Sequence, residues 1–408
     1  MNAVADTADA TPGDGLCSTG LSVNDPVLGL IPECTLRAAI GEANARPGRD
    51  QITFTSTLIY NAITGTATFT PASDYPDVTD PVDIDGTTAP GWVAGGIPRI
   101  LISGQGFLNG LDLQAGSVDS TVQGLAFQGF ASGISLVGTA GAWIDACSFG
   151  YFNVPVQPGS ETVVGNVRGI DVDASGSPIP NGRHGIFVRS DTDRVVPVLV
   201  GATSVLSPED FDLTGNHIAF NVQDGVAVLD EGRAYIRGNR ITGNGDRPID
   251  LGNDGVTPND AGDVDLGPNW LQNHPELTPG ISFLDVATGD VVVHYQVPSD
   301  PLEAWYPLTL DFYLADLDGE EPELLLGSEE IPDTEAGLLR TFAFTPSMPL
   351  VQATHTLVAT ATDAGSRTSE ASPAITLPEP GPGPVLALGV LLLVGLAGRR
   401  ARGAAGER

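Results

Sequence analysis

A nine-residue unit of this chain returns at a fixed interval. Leu213-Thr214-Gly215-Asn216-His217-Ile218-Ala219-Phe220-Asn221 reappears as Ile236-Arg237-Gly238-Asn239-Arg240-Ile241-Thr242-Gly243-Asn244, 23 residues later at every position. Gly225-Val226-Ala227-Val228 and Pro248-Ile249-Asp250-Leu251 stand 23 apart, as do Gly110-Leu111-Asp112-Leu113 and Gly133-Ile134-Ser135-Leu136. Gly124-Leu125-Ala126-Phe127 and Ala146-Cys147-Ser148-Phe149 stand 22 apart. Gly169-Ile170-Asp171-Val172 and Gly185-Ile186-Phe187-Val188 are further copies. A period in this range marks a repeat architecture. Each copy alternates apolar and polar residues over four to six positions, after Gly or Asn. That is too short for a helix pair and suits one strand of a coil.

The economical fold is all-β: a right-handed parallel β-helix over residues 59–276. Each coil advances about 4.8 Å, one inter-strand spacing, and roughly seven to nine coils fit the period. Equivalent residues then stack, Ile218 on Ile241 and Val226 on Ile249. Asn216 over Asn239 and Asn221 over Asn244 form amide ladders at the turns, where buried amides satisfy one another. Segments 175–183 and 201–210 interrupt the rhythm as insertions, and 207–211 reads as a loop leaving the coil. After Leu277 the texture changes. Val291–Val297, Leu308–Leu314, Leu324–Leu326, Leu339–Phe344 and His355–Asp363 read as separate strands between Pro, Gly and Asp turns. Residues 277–376 are therefore expected to form an immunoglobulin-like or fibronectin-III-like β-sandwich. Residues 377–384 form a proline-rich linker.

Upstream, Leu36, Ala39, Ile40 and Ala43 fall at helical spacing. A short helix there caps the open end of the coil within an N-terminal region 1–58. Cys34, Leu36, Arg37, Ala39, Ile40, Ala43, Asn44, Pro47, Gly48, Asp50, Ile52 and Phe54, with Asp14-Gly15-Leu16-Cys17 before them, resemble the CSLREA domain, a short module found before bacterial β-helices. Thr35 and Ala38 depart from it, where the family has Ser and Glu. The segment from Asp250 to Pro275 resembles one that recurs in CSLREA-type surface proteins. Ala359–Glu370 resembles the last hairpin of bacterial surface modules of the sandwich type.

The C-terminus runs Pro378-Glu379-Pro380, an apolar span 385–398, then Arg399, Arg400 and Arg402 in a basic tail 399–408. Arginines after an apolar span stay cytoplasmic, which places the rest of the chain outside. The span has 14 residues, short against the roughly 20 that cross a bilayer as a transmembrane helix. This order of parts resembles the PEP-C-terminal sorting signal of Gram-negative bacteria. The resemblance implies cleavage by an exosortase-type enzyme after transient anchoring in the inner membrane, with the protein placed at the cell surface or in the extracellular matrix. An exported chain needs a signal peptide, and Met1–Asp6 has neither a basic region nor an apolar core. The exported reading expects that signal upstream.

There are 51 Asp and Glu against 18 basic residues, all Arg. Such a chain repels phosphate backbones, so nucleic acid is not an expected partner. Of three cysteines, Cys17 and Cys34 are close enough for a disulfide in an exported chain. Cys147 sits in an alternating strand pattern and reads as a buried small hydrophobe.

The densest group of oxygen ligands is Asp250, Asn253, Asp254, Asn259, Asp260, Asp263 and Asp265, within 16 residues. Calcium takes such ligands. The alternative is a turn-rich loop whose Asx side chains bond their own backbone. Catalysis is the second candidate function, since right-handed β-helices include polysaccharide lyases and hydrolases. A lyase needs a cation for the uronate and a base. Arg183, His184, Arg189, Arg233, Arg237, Arg240 and Arg247 lie on the coils. A hydrolase needs two carboxylates, and Asp224, Asp230, Glu231, Asp246 and Asp250 are available. No nucleophile triad, phosphate loop or metal motif stands out. The sequence therefore favours a non-enzymatic surface protein acting in adhesion, glycan binding or matrix, with extracellular polysaccharide or surface proteins as partners. A glycan binder should show an aromatic stripe, and Trp92, Trp143, Tyr151, Phe152 and Trp270 are scattered.

Overall fold

The computed structural model describes residues 1–62, 64–94, 96, 98–106, 109–145, 147–149, 181–191, 196–201, 215–316, 318–346, 348–350 and 355–378. The repeat copy at 169–172, the loop 207–211, Glu379, Pro380, the apolar span 385–398 and the basic tail 399–408 lie outside them. The chain is mostly strand, and Leu36–Ala45 is the one α-helix among the described residues. No helix among those residues is long and apolar enough to cross a membrane.

Three parallel sheets make the first unit. One orders Asp50–Thr53, Val82–Asp85, Thr121–Gln123, Trp143–Asp145, Val198–Gly201 and Ala234–Arg237. The second orders Ala67–Phe69, Ile100–Ser103, Leu125–Gln128, Ser148–Phe149, His217–Ala219 and Arg240–Thr242. The third orders Asn109–Leu113, Ser132–Val137, Ile186–Ser190, Val226–Asp230 and Ile249–Leu251. The chain visits the sheets in turn, so residues one circuit apart become neighbours. Ile218 pairs with Ile241, Val226 with Ile249, and Ile134 with both Leu111 and Ile186. With sheets of six, six and five strands, the described residues span fewer circuits than the period predicts.

The alternation in each strand sends one set of side chains inward. Ile84, Val122, Ile144, Val200 and Ile236 line the first sheet, and Leu113, Leu136, Val188, Val228 and Leu251 the third; all are buried in one core. Burial stabilises each such side chain by about 1.5–3 kcal/mol. Polar ladders fix the corners. Asn181 Nδ2 donates to Asn221 Oδ1 at 3.0 Å, and Asn221 Nδ2 donates to Asn244 Oδ1 at 2.7 Å. Asn216 Nδ2 donates to Asn239 Oδ1 at 2.9 Å and to the Ile144 carbonyl. A one-residue slip would break every rung, so the ladders hold the register.

One end of this core is closed by the helix. Thr35 caps it, its hydroxyl accepting from Ala38 N at 3.1 Å, as an N-cap should. Leu36, Ile40 and Ala43 enter the core. Cys17 and Cys34 form a disulfide that closes the base of a hairpin, Ser22–Asp25 with Gly29–Pro32. Cys147 is a free, buried thiol, and burial holds its pKa well above the usual value.

The second unit has two four-stranded antiparallel sheets sharing one core. Glu276–Leu277, Phe283–Leu284 and Arg340–Phe344 pair with Val291–Gln296. Leu308–Ala315 lies between Pro322–Ile331 and Thr356–Thr362, which also pairs with Ile375–Thr376. Val291, Val293 and Tyr295 meet Leu308, Leu310, Phe312 and Leu357 in that core. Leu377 is buried there as well, and the Pro378 carbonyl accepts from Leu284 N, so both belong to this unit.

The second unit closes the other end of the first. In Leu308–Ala315, Leu308, Leu310 and Phe312 face their own core, while Asp311 and Tyr313 face the last circuit. A void of only about 10 Å³ remains between Ile236, Ile241 and Ile249 on one side and Tyr313, Pro322 and Thr360 on the other. Terminal strands carry backbone donors with no next strand to receive them, and burying those unmet is costly. Side chains of the second unit accept them. Asn244 N donates to Glu321 Oε2 at 2.8 Å, Gly243 N to Asp316 Oδ2 at 2.9 Å, Leu251 N to Glu370 Oε1 at 3.0 Å, and Ile236 N to Thr368 Oγ1 at 2.9 Å.

Candidate metal centre

The last core strand and the loop after it carry the seven oxygen-rich residues, and the structure divides them. Asp250 is buried and turns the chain, accepting from Asp254 N at 3.2 Å and Gly255 N at 3.0 Å. Burial raises its carboxyl above the usual range. Asn253 takes a left-handed backbone at φ 57°, and Asp254 is exposed. Asn259 brackets His274, accepting from its N at 2.9 Å and donating to its carbonyl at 2.9 Å. Asp250 thus bonds its own loop, as Asx residues do, and Asn259 ties the loop to His274.

The other three converge. One carboxylate oxygen from each of Asp260, Asp263 and Asp265 lies within 4.8 Å of the others. Asp263 anchors the group from a left-handed backbone at φ 70°. Its Oδ2 accepts from Gln272 Nε2 at 2.6 Å and its Oδ1 from Asn273 N at 2.9 Å. Burial, helped by the charges of Asp265 and Asp260, pushes its carboxyl up to about 6, against the hydrogen bonds from Ser299 and Asn273. Asp265 is raised by burial and by Asp260, and its Oδ1 is buried with no hydrogen-bond partner. Asp260 Oδ2 accepts from Val264 N at 3.1 Å. Three hard oxygen donors, one of them lacking a proton donor, fit a divalent cation such as calcium, with waters completing roughly six to eight ligands. With neither thiolate nor imidazole in the group, zinc is a poor match.

Several of the arginines named on the coils have partners, while Arg247 Nε is buried with no hydrogen-bond partner. Arg237 Nε donates to Asp311 Oδ2 at 2.5 Å and its Nη2 to Asp311 Oδ1 at 2.7 Å, in a buried pair joining the two units. Arg189 pairs with Asp230 at 2.6 Å, Arg183 Nε donates to Gln223 Oε1, and Arg240 Nε donates to the Glu323 carbonyl. Arg233 lies 5.9 Å from the Trp270 ring and 5.8 Å from that of Trp305. His184 Nδ1 stands 2.9 Å from Asp224 Oδ2, both sealed from solvent. Asp224 also accepts from Arg247 N.

Among the described residues, two clefts of moderate size are open to solvent. One of about 340 Å³ is lined by Gly252, Asp254, Thr257, Pro258, Pro268 and Leu271 among others, and one of about 200 Å³ by Pro71, Ser73, Asp74, Gly104, Gln105 and Phe130. Each is bordered by a single carboxylate, where a glycosidase needs two.

Sequence reasoning missed the acids of the junction. Burial pushes Glu321 up to about 8, with Asp316 and Asp318 adding to it, and pushes Glu370 up to about 7. It also missed Arg367, whose guanidinium stacks 3.7 Å from the Trp270 ring and 4.9 Å from that of Trp305 while Nε donates to Asp363 Oδ2 at 2.7 Å. Asp316-Leu317-Asp318-Gly319-Glu320-Glu321 reads in sequence as a solvent turn, and nothing local marks it as an interface. No protein-family model matches the chain, and no curated protein matches it either.

Proposed function

We propose that the protein is an exported right-handed parallel β-helix capped by an immunoglobulin- or fibronectin-III-like sandwich, acting without catalysis in adhesion, glycan binding or extracellular matrix. Three parallel sheets visited in turn support the β-helix reading. Two antiparallel sheets around one core support the sandwich reading. The observation that carries the functional reading is the commitment of four coil arginines. Arg183, Arg189, Arg237 and Arg240 are held by internal partners, and the two clefts lack a carboxylate pair.

The Cys17–Cys34 disulfide supports an oxidising, extracytoplasmic setting. Pro378-Glu379-Pro380, the apolar span and the terminal arginines support surface sorting through an exosortase-type enzyme. Calcium at Asp260, Asp263 and Asp265 would offset the mutual repulsion of three converging carboxyls, one of them partly buried, and would lower the negative charge of a surface that otherwise repels acidic glycans.

The test incubates the purified chain with neutral and acidic bacterial polysaccharides, with and without calcium. Binding, reducing ends and unsaturated uronates are followed together. Retention on at least one polysaccharide without turnover supports the proposal. Turnover of any member would make the protein a polysaccharide lyase or glycoside hydrolase and overturn it.

A further inference from the structure

The N-terminal hairpin exposes more aliphatic surface than a soluble turn needs. Leu21, Val27, Leu28 and Leu30 are 60, 88, 73 and 77% exposed. Leu16, just before the disulfide, is half exposed. Val27, Leu28 and Leu30 follow one another around the turn; single exposed leucines are ordinary, but grouped ones mark interaction surfaces. Among the described residues the ribbon Ser22–Asp25/Gly29–Pro32 pairs with no further strand, so both of its edges are open there. Such a ribbon is marginal in water by itself, and an open edge is a template for another strand. Here the base is clamped covalently by Cys17–Cys34 and by backbone bonds from Thr19 N to the Glu33 carbonyl and from Glu33 N to the Leu21 carbonyl. The chain thus holds an apolar arm rigidly in solvent.

We infer that this arm is a self-association surface, and that its occupant is the same arm of a second copy. Charge selects that occupant. The chain carries a net charge of −33, so two copies repel wherever their flanks face each other. From Leu16 to Pro32 the only ionisable side chain is Asp25. Its Oδ1 is turned onto its own loop, accepting from Val27 N and Leu28 N at 2.8 Å each. The arm is therefore a charge-poor island on which an equally acidic partner can dock. It belongs to the cap at the Asp50–Thr53 end of the sheets, opposite the end closed by the second unit. Two copies meeting tip to tip keep their acidic flanks apart. An antiparallel ribbon edge is also self-complementary about a two-fold axis, so both copies use the same residues. If the chain is surface-anchored at its C-terminus, as proposed above, a tip-to-tip pair can join chains held on facing surfaces.

The experiment measures the mass of the whole chain by sedimentation equilibrium from about 1 to 100 µM, the range around a micromolar Kd. Wild type is compared with Leu28→Asp and with Val27→Ser/Leu30→Ser, positions exposed enough that thermal melting should not move. The expected result is a concentration-dependent doubling of mass in wild type, with self-association at least a hundredfold weaker in both variants and an unchanged melting temperature. A wild type that stays monomeric throughout overturns the proposal. So does a doubling that both variants retain, which would place the contact elsewhere. A monomeric wild type that floats with phosphatidylcholine vesicles while Leu28→Asp does not would overturn it too, and would assign the arm to lipid.

Discussion

The two ends of the parallel-sheet unit face the same physical problem and solve it differently. Each must cover an open apolar core and a row of unpaired backbone groups. The N-terminal end uses a helix contiguous with the first strands, capped by Thr35 and packed through Leu36, Ile40 and Ala43. The C-terminal end borrows side-chain carboxyls and a threonine hydroxyl from 73 to 132 residues away: Asp316, Glu321, Thr368 and Glu370. A local cap folds with its own strands. A borrowed cap makes the last circuit depend on a second unit. The acidic side chains are thus partly structural, since their oxygens are the acceptors that its terminal donors require.

The borrowed end should therefore be the more fragile. Arg237→Ala leaves Asp311 buried without its partner and should cost about 3–5 kcal/mol in urea unfolding. Arg237→Met with Asp311→Leu should recover most of that loss. A single variant within 1 kcal/mol of wild type would mean that the two units do not depend on this pair. At the other end, Cys17→Ser/Cys34→Ser should cost about 3 kcal/mol by loop entropy, without altering the terminal circuits in hydrogen exchange. Between the ends, Asn221→Ala breaks a ladder running from Asn181 through Asn244 to Glu321. A loss of about 1–3 kcal/mol follows from the donors it strands.

The pH dependence separates the ends further. Glu321 and Glu370 are raised by burial to about 8 and about 7. For carboxyls raised above their unfolded values, stability is fully present below the unfolded pKa and is lost as pH rises through the folded pKa. Unfolding midpoints should thus fall between roughly pH 5 and 8, and Glu321→Gln should flatten that slope. A slope unchanged in this variant would assign the dependence to other groups. The smallest expected effect is at the acidic loop. Chelator should lower the melting temperature by a few degrees, and Asp263→Asn should abolish the difference; a chelator-insensitive wild type would leave the three aspartates without a metal role.

Much of the first unit was legible because its contacts repeat. The 22- and 23-residue offsets alone set Ile218 against Ile241 and Asn216 against Asn239, and the structure pairs them so. The strand expected at Leu324–Leu326 runs from Pro322 to Ile331. Its polar half was hidden because Glu329 reads as solvent-facing, yet it accepts from Tyr295 Oη and pairs with Arg340. Of the seven loop residues named as metal ligands, three converge, because spacing along a turn-rich loop does not say which carboxylates fold back together. The junction acids were illegible for a related reason. Glu321 and Glu370 differ from other acids of this chain only in what packs on them.

Amide hydrogen exchange along Ala234–Arg237, Arg240–Thr242 and Ile249–Leu251 tests the borrowed cap most directly. The account predicts that the Asn244 and Leu251 amides of the whole chain exchange as slowly as those of the central circuits. In Glu370→Ala, Leu251 and Thr257 should become fast while Val226 and Ile134 stay slow. Fast exchange at Asn244 and Leu251 in the wild type would mean that the last circuit is open, and would contradict the account.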